Sequence, residues 1–557
     1  MAITLTAAYL AELKKKNTPN VVLEVALDSG TVKWGYSAGG FSDVAPILKA
    51  VASLQNKLDA KSGFATRGEI TAVIVGRDNF KNLVRDEYLK NRRVIRKEGF
   101  VTTGYAWSDY AETFKGKIID WSRKGDELTL VIADDMADAA VKIPTENATK
   151  TQSIDYTNSG AGMNPADIMT DILLTQLSIA SGYVDSTQFT VERDLWLRSW
   201  LFSRVLTDPK AARKYLNELQ QETNSFIFHD GDKISFKVFA PPIPGQTIEG
   251  WTDDYNILAN SFSQKSGYKD HFFNRIVFYY DFDESGSDGE ENFEAGVIAV
   301  DAASQGSGQW DEVKTKVIKS KWIRSFTHQQ PTNVTGVVIY HASVNNGAGD
   351  GTLTFTYDGG GEHTLKWTPP GGTIGEAVTV SKDGKFQVFG ADKTKYVRVV
   401  VTSASLAGSS QTDTDITITA LNGSSYATTI AQKLLSRYRD PSGLLSFEVD
   451  INNVAWSSTF IKPTDFKDIT TDEAVEKGAN TWSLKRCILT SIRPDFTKGK
   501  VRVEAIDANM DRKYAFIAPP GQPNWDSATD AEKEYAYIGD AANNQLGAAN
   551  DPGFYHW

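Results

Sequence analysis

Leu128-Thr-Leu-Val-Ile-Ala-Asp134 decides the fold class. Leu128, Leu130 and Ile132 alternate with polar or smaller neighbours, so one face of an extended segment is apolar and the other is not, the period of a half-buried strand. The same alternation recurs at Leu353, Phe355 and Tyr357 against Thr352, Thr354 and Thr356, and at Val501, Val503 and Ala505 against Arg502 and Glu504. Gly and Asp turns such as Asp28-Ser29-Gly30 and Lys382-Asp383-Gly384 separate these runs. The chain is therefore expected to be mainly β with a helical linker, an α+β multidomain protein.

Four helices are marked against this background. Residues 6–16 place Tyr9, Leu10 and Leu13 on one side, with Lys14 to Lys16 in the last turn and Pro19 just beyond. Asn164-Pro165 is an N-cap followed by proline at the first helical position, and Ile168, Ile172, Leu173 and Leu177 follow at helical spacing. Asp208-Pro209 repeats the start signal before Ala212, Tyr215, Leu216 and Leu219. The fourth, about 426–438, carries Ile430, Leu434 and Tyr438.

Composition changes near residue 326. Residues 326–420 hold 16 Thr and 13 Gly, a single Arg (Arg398), and 14 charged residues in 95, against 23% charged for the whole chain. Alternating segments at 337–342, 352–357, 363–367, 377–381, 385–389, 396–402 and 415–420 predict a small β-sandwich inserted into a larger domain. The expected organisation is a first β domain (1–150), a helical linker (151–245), a discontinuous second β domain (246–325 and 421–510), the inserted Thr/Gly-rich sandwich (326–420), and an irregular tail (511–557). The tail ends in Phe554, Tyr555 and Trp557, so it is expected to dock. No tandem repeat of fixed period is visible.

Length and composition bound the function. At ~100–200 residues per domain, 557 residues suggest roughly three to five domains. Cys487 is the single cysteine, which excludes a disulfide framework and a cysteine-held zinc or iron–sulfur site. No run approaches the ~18 apolar residues of a membrane span, and Met-Ala-Ile-Thr-Leu-Thr lacks a basic and an apolar leader region, so no secretion is expected. A net charge of −11 argues against nucleic acid as the main partner.

Candidate chemistry is sparse. Asp281-Phe-Asp283-Glu-Ser285-Gly286 fits the first half of a calcium loop, but Asn292 stands where a bidentate Glu is required, and the flanking Asn274–Tyr280 reads as strand. A solvated acidic hairpin tip is the reading preferred. There is no nucleophile elbow, zinc-protease motif or phosphate-binding loop. Cys487 lies in an apolar strand-like run and reads as an inert thiol. His229, His271, His328, His341, His363 and His556 have no ligand spacing. Asp134-Asp135 and Asp253-Asp254 could pair for glycoside hydrolysis, as could many others in a chain with 70 acids. Arg77, Lys81, Arg85, Lys90, Arg92, Arg93, Arg96 and Lys97 interleave with Asp78, Asp86, Glu87 and Glu98, which favours a solvated face or subunit contact over phosphate binding. Tyr340, Tyr357, Trp367 and Tyr396 could stack on sugars but fit a sandwich core better, with Trp367, beside Pro369-Pro370-Gly371-Gly372, expected on a loop. No residue is assigned a catalytic, cofactor-binding or metal-binding role.

Several segments taken in order carry a resemblance. Leu58-Asp-Ala-Lys-Ser-Gly-Phe-Ala-Thr-Arg-Gly-Glu-Ile-Thr71, then Phe114-Lys-Gly-Lys-Ile-Ile119 with Leu128–Asp134, resemble the first β domain of the baseplate hub (tail-tip) proteins of long-tailed bacteriophages and gene transfer agents. Asn164-Pro-Ala-Asp-Ile-Met169, Tyr183-Val-Asp185 and Glu192-Arg193 resemble the helical linker of that family. Asn260-Ser-Phe262, Asn274-Arg-Ile-Val-Phe-Tyr279 and Ala431-Gln-Lys-Leu-Leu-Ser-Arg-Tyr438 resemble its second β domain, and Tyr514-Ala-Phe516 and Tyr535–Gly539 its tail. The resemblance implies a homotrimer in the virion, at the distal end of the tail, assembled in the host cytoplasm. Its two β domains would alternate in a pseudo-sixfold ring that joins tail-tube and tape-measure proteins to a central fibre or spike and lines the DNA exit path. It implies no enzyme activity and no cofactor. Two features depart from the family: some relatives hold an iron–sulfur cluster through several cysteines, and the 326–420 insert is not part of the common hub. The insert leaves open a receptor- or glycan-binding role at the host surface, and an envelope glycan hydrolase is the remaining alternative.

Overall fold

A computed structural model describes residues 5–508 except 53–55, 60–63, 66–67, 146–152, 159–160, 208, 241, 243–246, 268–271, 283–288, 306–311, 329–337, 343–349, 358–362, 381–384, 402–413, 422, 441–442, 451–460, 476–480 and 496–498, and beyond these 537–538 and 554–555. The chain is mainly β and multidomain, as its alternation implies.

Thr6 caps α1 (Ala7–Leu13) by accepting from the Tyr9 N–H. The first sheet follows: β1 (Pro19–Leu27), β2 (Gly30–Gly35), β3 (Val44–Ala45), β4 (Leu48–Val51), β7 (Glu69–Val75), β8 (Arg93–Phe100), β9 (Ala111–Lys124) and β10 (Glu127–Ala133), in the spatial order β3-β2-β1-β8-β9-β10-β7-β4. A short arm, β5 (Asn56–Asp59) and β6 (Phe64–Ala65), leaves it between β4 and β7. The alternating residues Ile70, Ala72, Ile74, Leu128, Leu130 and Ile132 form one buried face, against which α2 (Arg77–Asp86) packs Phe80, Leu83 and Val84. This helix lies in the stretch read only as a charged cluster.

The linker holds α3 (Pro165–Asp171), α4 (Ser186–Glu192) and α5 (Ala212–Thr223). Asn164 caps α3 by accepting from the Ala166 N–H, with Pro165 in its first turn. Two-residue strands tie the linker together, β11 (Lys142–Ile143) with β14 (Lys210–Ala211) and β12 (Ile154–Asp155) with β13 (Val205–Leu206). Pairing in β14 displaces the third helix start: α5 begins at Ala212, not at the Asp208-Pro209 signal, and Asp208 itself lies outside the described residues. The hairpin β15 (Ser225–His229) and β16 (Ile234–Val238) closes the linker.

The second sheet is assembled from distant segments: β17 (Gly250–Thr252), β18 (Ser263–Ser266), β30 (Gly443–Asp450), β31 (Phe466–Thr471), β32 (Trp482–Asp495) and β33 (Lys500–Asp507), ordered β17-β31-β32-β33-β30-β18. Between β18 and β30 the chain makes a long excursion. It forms β19 (Arg275–Phe282), β20 (Phe293–Val300), the short α6 (Ala302–Gln305) and β21 (Thr315–Lys319), and later α7 (Gly423–Tyr438), which packs on β19 and β20. The insert sits within the excursion as two sheets: β22 (Phe326–His328), β24 (Gly351–Tyr357), β25 (His363–Thr368), β26 (Val378–Val380) and β29 (Thr414–Ala420) in one, and β23 (Val338–Ala342), β27 (Lys385–Phe389) and β28 (Tyr396–Val401) in the other. Leu353, Phe355, Leu365, Trp367, Val388, Val397 and Val399 fill the space between them. Trp367 is thus fully buried in β25 rather than on a loop, because its alternation with Leu365 outweighs the turn residues that follow. In the tail, β34 (Tyr537–Ile538) pairs with β35 (Phe554–Tyr555), which lies beside residues 193–197; Trp557 and most of 511–557 lie outside the described residues.

Candidate assembly interface

The two large sheets share a path and a register. In chain order β4, β7, β8, β9 and β10 correspond to β18, β30, β31, β32 and β33, and in space β8-β9-β10-β7-β4 corresponds to β31-β32-β33-β30-β18. From the β9–β10 turn five pairs form, Lys124↔Glu127 to Asp120↔Val131, before Ile119 bulges; from the β32–β33 turn five pairs form, Asp495↔Lys500 to Ser491↔Glu504, before Thr490 bulges. On the other side of the long strand, Arg93↔Lys117 to Arg96↔Phe114 match Phe466↔Ile488 to Ile469↔Lys485, and each run then ends in a register shift. The β7–β10 ladder, Glu69↔Ala133 to Val75↔Glu127, matches Leu444↔Ile506 to Asp450↔Lys500. Leu48↔Ile74 matches the bridge Ile257↔Val449.

Irregular details repeat as well. Asn91 at φ 67° donates its N–H to the Ile118 carbonyl at 2.7 Å, and Arg92 accepts from the Ile118 N–H at 2.9 Å. Thr464 at φ 84° donates to Leu489 at 2.8 Å, and Asp465 accepts from the Leu489 N–H at 2.9 Å. A bulge re-aims a strand and is a built feature of a sheet, so this set of shared bulges and left-handed residues identifies one β unit used twice.

The two copies are covered differently. The inner face of the second sheet, including Phe447, Val449, Cys487, Val501 and Val503, packs on α1 and the ring cluster of Tyr9, Phe100, Tyr105 and Tyr110 from the first domain. The arm also crosses over: β5 pairs with the free edge of β32 just past the bulge, Lys57↔Ser491 and Asn56↔Ile492, and Lys57 reaches Glu504 at 2.9 Å. Ser491 and Ile492 are buried, whereas the corresponding Asp120 and Trp121 of β9 are exposed, Trp121 by 40%. Among the described residues no strand pairs with that outer edge of β9 between Asp120 and Lys124. The Trp121 N–H instead donates to the Asp120 carboxylate at 2.9 Å.

The first sheet meets the linker through a polar junction. Arg93 pairs with the buried Asp135 at 2.6 Å and lies over the Tyr183 ring, while Lys115 pairs with Asp232 and with Glu112 and donates its backbone N–H to Gly231. At its centre His229 accepts from the Gly231 N–H at 3.1 Å and rests beside Phe114. Burial pushes its imidazole down to about 4, against the attraction of Asp135 and Asp232 and with the help of Lys115 and Arg93.

Asp281, the first residue of the candidate calcium loop, lies at the neck of the insert. It is buried at φ 56° and accepts from the Ser325 N–H and hydroxyl at 2.6 and 2.5 Å, fastening the neck of the insert where Leu421 also donates to Ser325. Burial raises its carboxyl to about 6. Asp283, Ser285 and Gly286 lie outside the described residues. Cys487 is buried in the second core, which raises its thiol well above the usual range. Asp134 caps residues 135–140, Asp135 holds Arg93, and Asp253 accepts from the Asp472 N–H, so these acids serve local structure. The basic cluster is divided among α2, the following loop and β8, with the pairs Arg85–Asp86, Arg92–Asp28, Arg96–Glu98 and Lys97–Glu24. The Tyr396 ring packs tilted against Phe389, while the side chains of Tyr340, Tyr357, His271, His328, His341, His363 and His556 lie outside those described. Among the described residues no group of three or more His, Cys, Asp or Glu is placed to hold a metal, and no helix is long and apolar enough to cross a membrane.

No protein-family model matches the chain, and no curated protein matches it. Among solved structures it is similar to the 43 kDa tail protein of prophage MuSo2 from Shewanella oneidensis, at 9% identity and a TM-score of 0.40, over 88% of this chain and 99% of that one. It is also similar to a chain of the virion of a native gene transfer agent particle, at 11% identity and a TM-score of 0.19, over 28% of this chain and 59% of that one.

Proposed function

We propose that the chain is a structural virion protein of a phage-type tail, the hub at its distal tip. The observation that carries this reading is the register shared by the two sheets. A chain holding the same β unit twice, assembled as a trimer, presents six near-equivalent units around one axis, and so joins a sixfold tube to a threefold fibre or spike. The arm of one unit on the edge of the next, within one chain, is a contact of the kind such a ring repeats. The order of sequence segments resembling tail hubs supports the same assignment. In this role the chain performs no catalysis and holds no cofactor or metal; its net charge of −11 suits a channel wall that DNA passes without sticking. Its partners are tail-tube and tape-measure proteins on one side and the central fibre on the other. Gold-labelled antibody against the chain, applied to tailed particles, is expected to mark the end of the tail farthest from the head. Label along the tube, on the head or on no particle contradicts the assignment.

A second role belongs to the insert. It has its own core and enters and leaves side by side, Phe326 pairing with Ala420, the arrangement of a module carried on a scaffold. We propose that it binds host-surface glycan or receptor. Particles whose chain lacks 329–417 are expected to assemble and to adsorb poorly; unchanged adsorption overturns this role.

A further inference from the structure

The shared register singles out one edge that no described strand occupies. The edge of β32 past its bulge is occupied by the arm that leaves the first sheet between β4 and β7. The corresponding edge of β9, Asp120 to Lys124, carries no described strand and presents Trp121 to solvent. The place in the second sheet that corresponds to the origin of the arm, between β18 and β30, is where the excursion leaves. The excursion's three-stranded sheet has two unlike faces. One buries Ile276, Phe278, Tyr280 and Ile318 among the linker and α7 residues. The other meets the insert at Glu294, which accepts from the Tyr396 hydroxyl at 3.5 Å, and away from that contact carries a cross-strand apolar row, Ile298 and Val317 flanking Val277 in register, with Ile298 exposed by 60% and Val317 by 42%. A contiguous apolar row on an exposed sheet face is the kind of surface that a partner can cover.

We infer that the β9 edge from Asp120 to Lys124 is the seat of a second copy of this chain, which reaches it with the outer face of β19, β20 and β21. The contact parallels in place, not in mode, the strand pairing that β5 makes within a chain: each unit sends the segment that follows its edge strand toward the long strand of the next unit. In one case that segment is the arm, on β32 of the same chain; in the other it is the excursion, on β9 of the neighbour. Repetition of both contacts closes a ring in which the vacant edge is covered, which also removes an exposed edge strand. The inference rests on the ring reading above and adds to it the residues that meet.

The full-length chain with p-benzoylphenylalanine in place of Trp121 is irradiated at a concentration where sedimentation detects self-association, and the crosslinked peptides are mapped. The expected product is an intermolecular link from position 121 into residues 275–319. Trp121→Glu and Ile298→Glu, both at exposed positions and checked by thermal melting, are each expected to raise the dissociation constant by about tenfold or more, as for loss of an interface anchor. A ring that forms with links elsewhere, or that tolerates both substitutions, overturns this contact and leaves the ring reading intact. A wild-type chain that stays monomeric overturns both.

Discussion

The first and second sheets are the same β unit by register and different molecules by covering. The first closes its buried face with its own helix, α2, through Phe80, while the second closes its face on α1 and the tyrosine cluster of the first domain. Among the described residues no strand pairs with the edge of the first sheet's long strand past its bulge, whereas that edge of the second is paired with β5. The path and register of the backbone are common to the two sheets, and their coverings are not.

Substitution at matched core positions tests the correspondence with the largest effect. Leu130→Ala is expected to cost about 2–5 kcal/mol of stability, the range for truncating a buried leucine. Val503→Ala, at the corresponding place in β33, is expected to cost about 0.8 kcal/mol less for its one fewer methylene. Denaturant melts of the two variants measure both, and a near-zero cost at either site would show that the two faces are not equivalent cores.

The polar junction belongs to the first sheet alone, since Lys115 and Arg93 correspond to Arg486 and Phe466 in the second. His229 is held neutral, with its folded value of about 4 below the ordinary 6.5. Because the unfolded chain takes up the proton first, its contribution is complete above about pH 6.5 and is lost as pH falls towards 4, by up to about 3 kcal/mol for a fully buried group. His229→Gln is expected to flatten that fall in stability between pH 6.5 and 4. An unchanged pH profile in the variant would show that the junction does not depend on the neutral imidazole.

A smaller effect is expected at the left-handed pair. Thr464 is β-branched at φ 84°, where its counterpart is Asn91 at φ 67°. Thr464→Asn is expected to stabilise by about 1 kcal/mol, and Asn91→Thr to destabilise by about as much, because asparagine tolerates this backbone region and a β-branched residue does not. Opposite signs from the two reciprocal exchanges sharpen the equivalence; equal signs break it. At Trp121, 40% exposed, Glu is expected to cost the monomer less than Leu130→Ala does, because part of the ring is already in solvent.

The strands were legible because burial alternates along them, and those of the insert lie within a residue or two of the alternating runs. The duplication was not legible. Corresponding positions share burial and not identity: Ile70, Ala72 and Ile74 face Leu445, Phe447 and Val449, and Leu128, Leu130 and Ile132 face Val501, Val503 and Ala505. An excursion of more than a hundred residues between β18 and β30 also removes any fixed period. The helix α2 was hidden by its charges, although Phe80, Leu83 and Val84 carry its i, i+3, i+4 stripe. Trp367 looks like a loop residue in the sequence because the Pro369-Pro370-Gly371-Gly372 turn follows so closely on the strand, which runs to Thr368. The vacant β9 edge could not be read at all, since openness depends on which strand comes to lie beside it.

The most direct measurement is sedimentation equilibrium of the purified chain at micromolar concentration, followed by electron microscopy of the species found. A duplicated ring unit predicts a particle of three times 61.2 kDa with threefold symmetry and six β units around the axis. A monomer, or an assembly whose subunits do not alternate the two sheets around one axis, would contradict it.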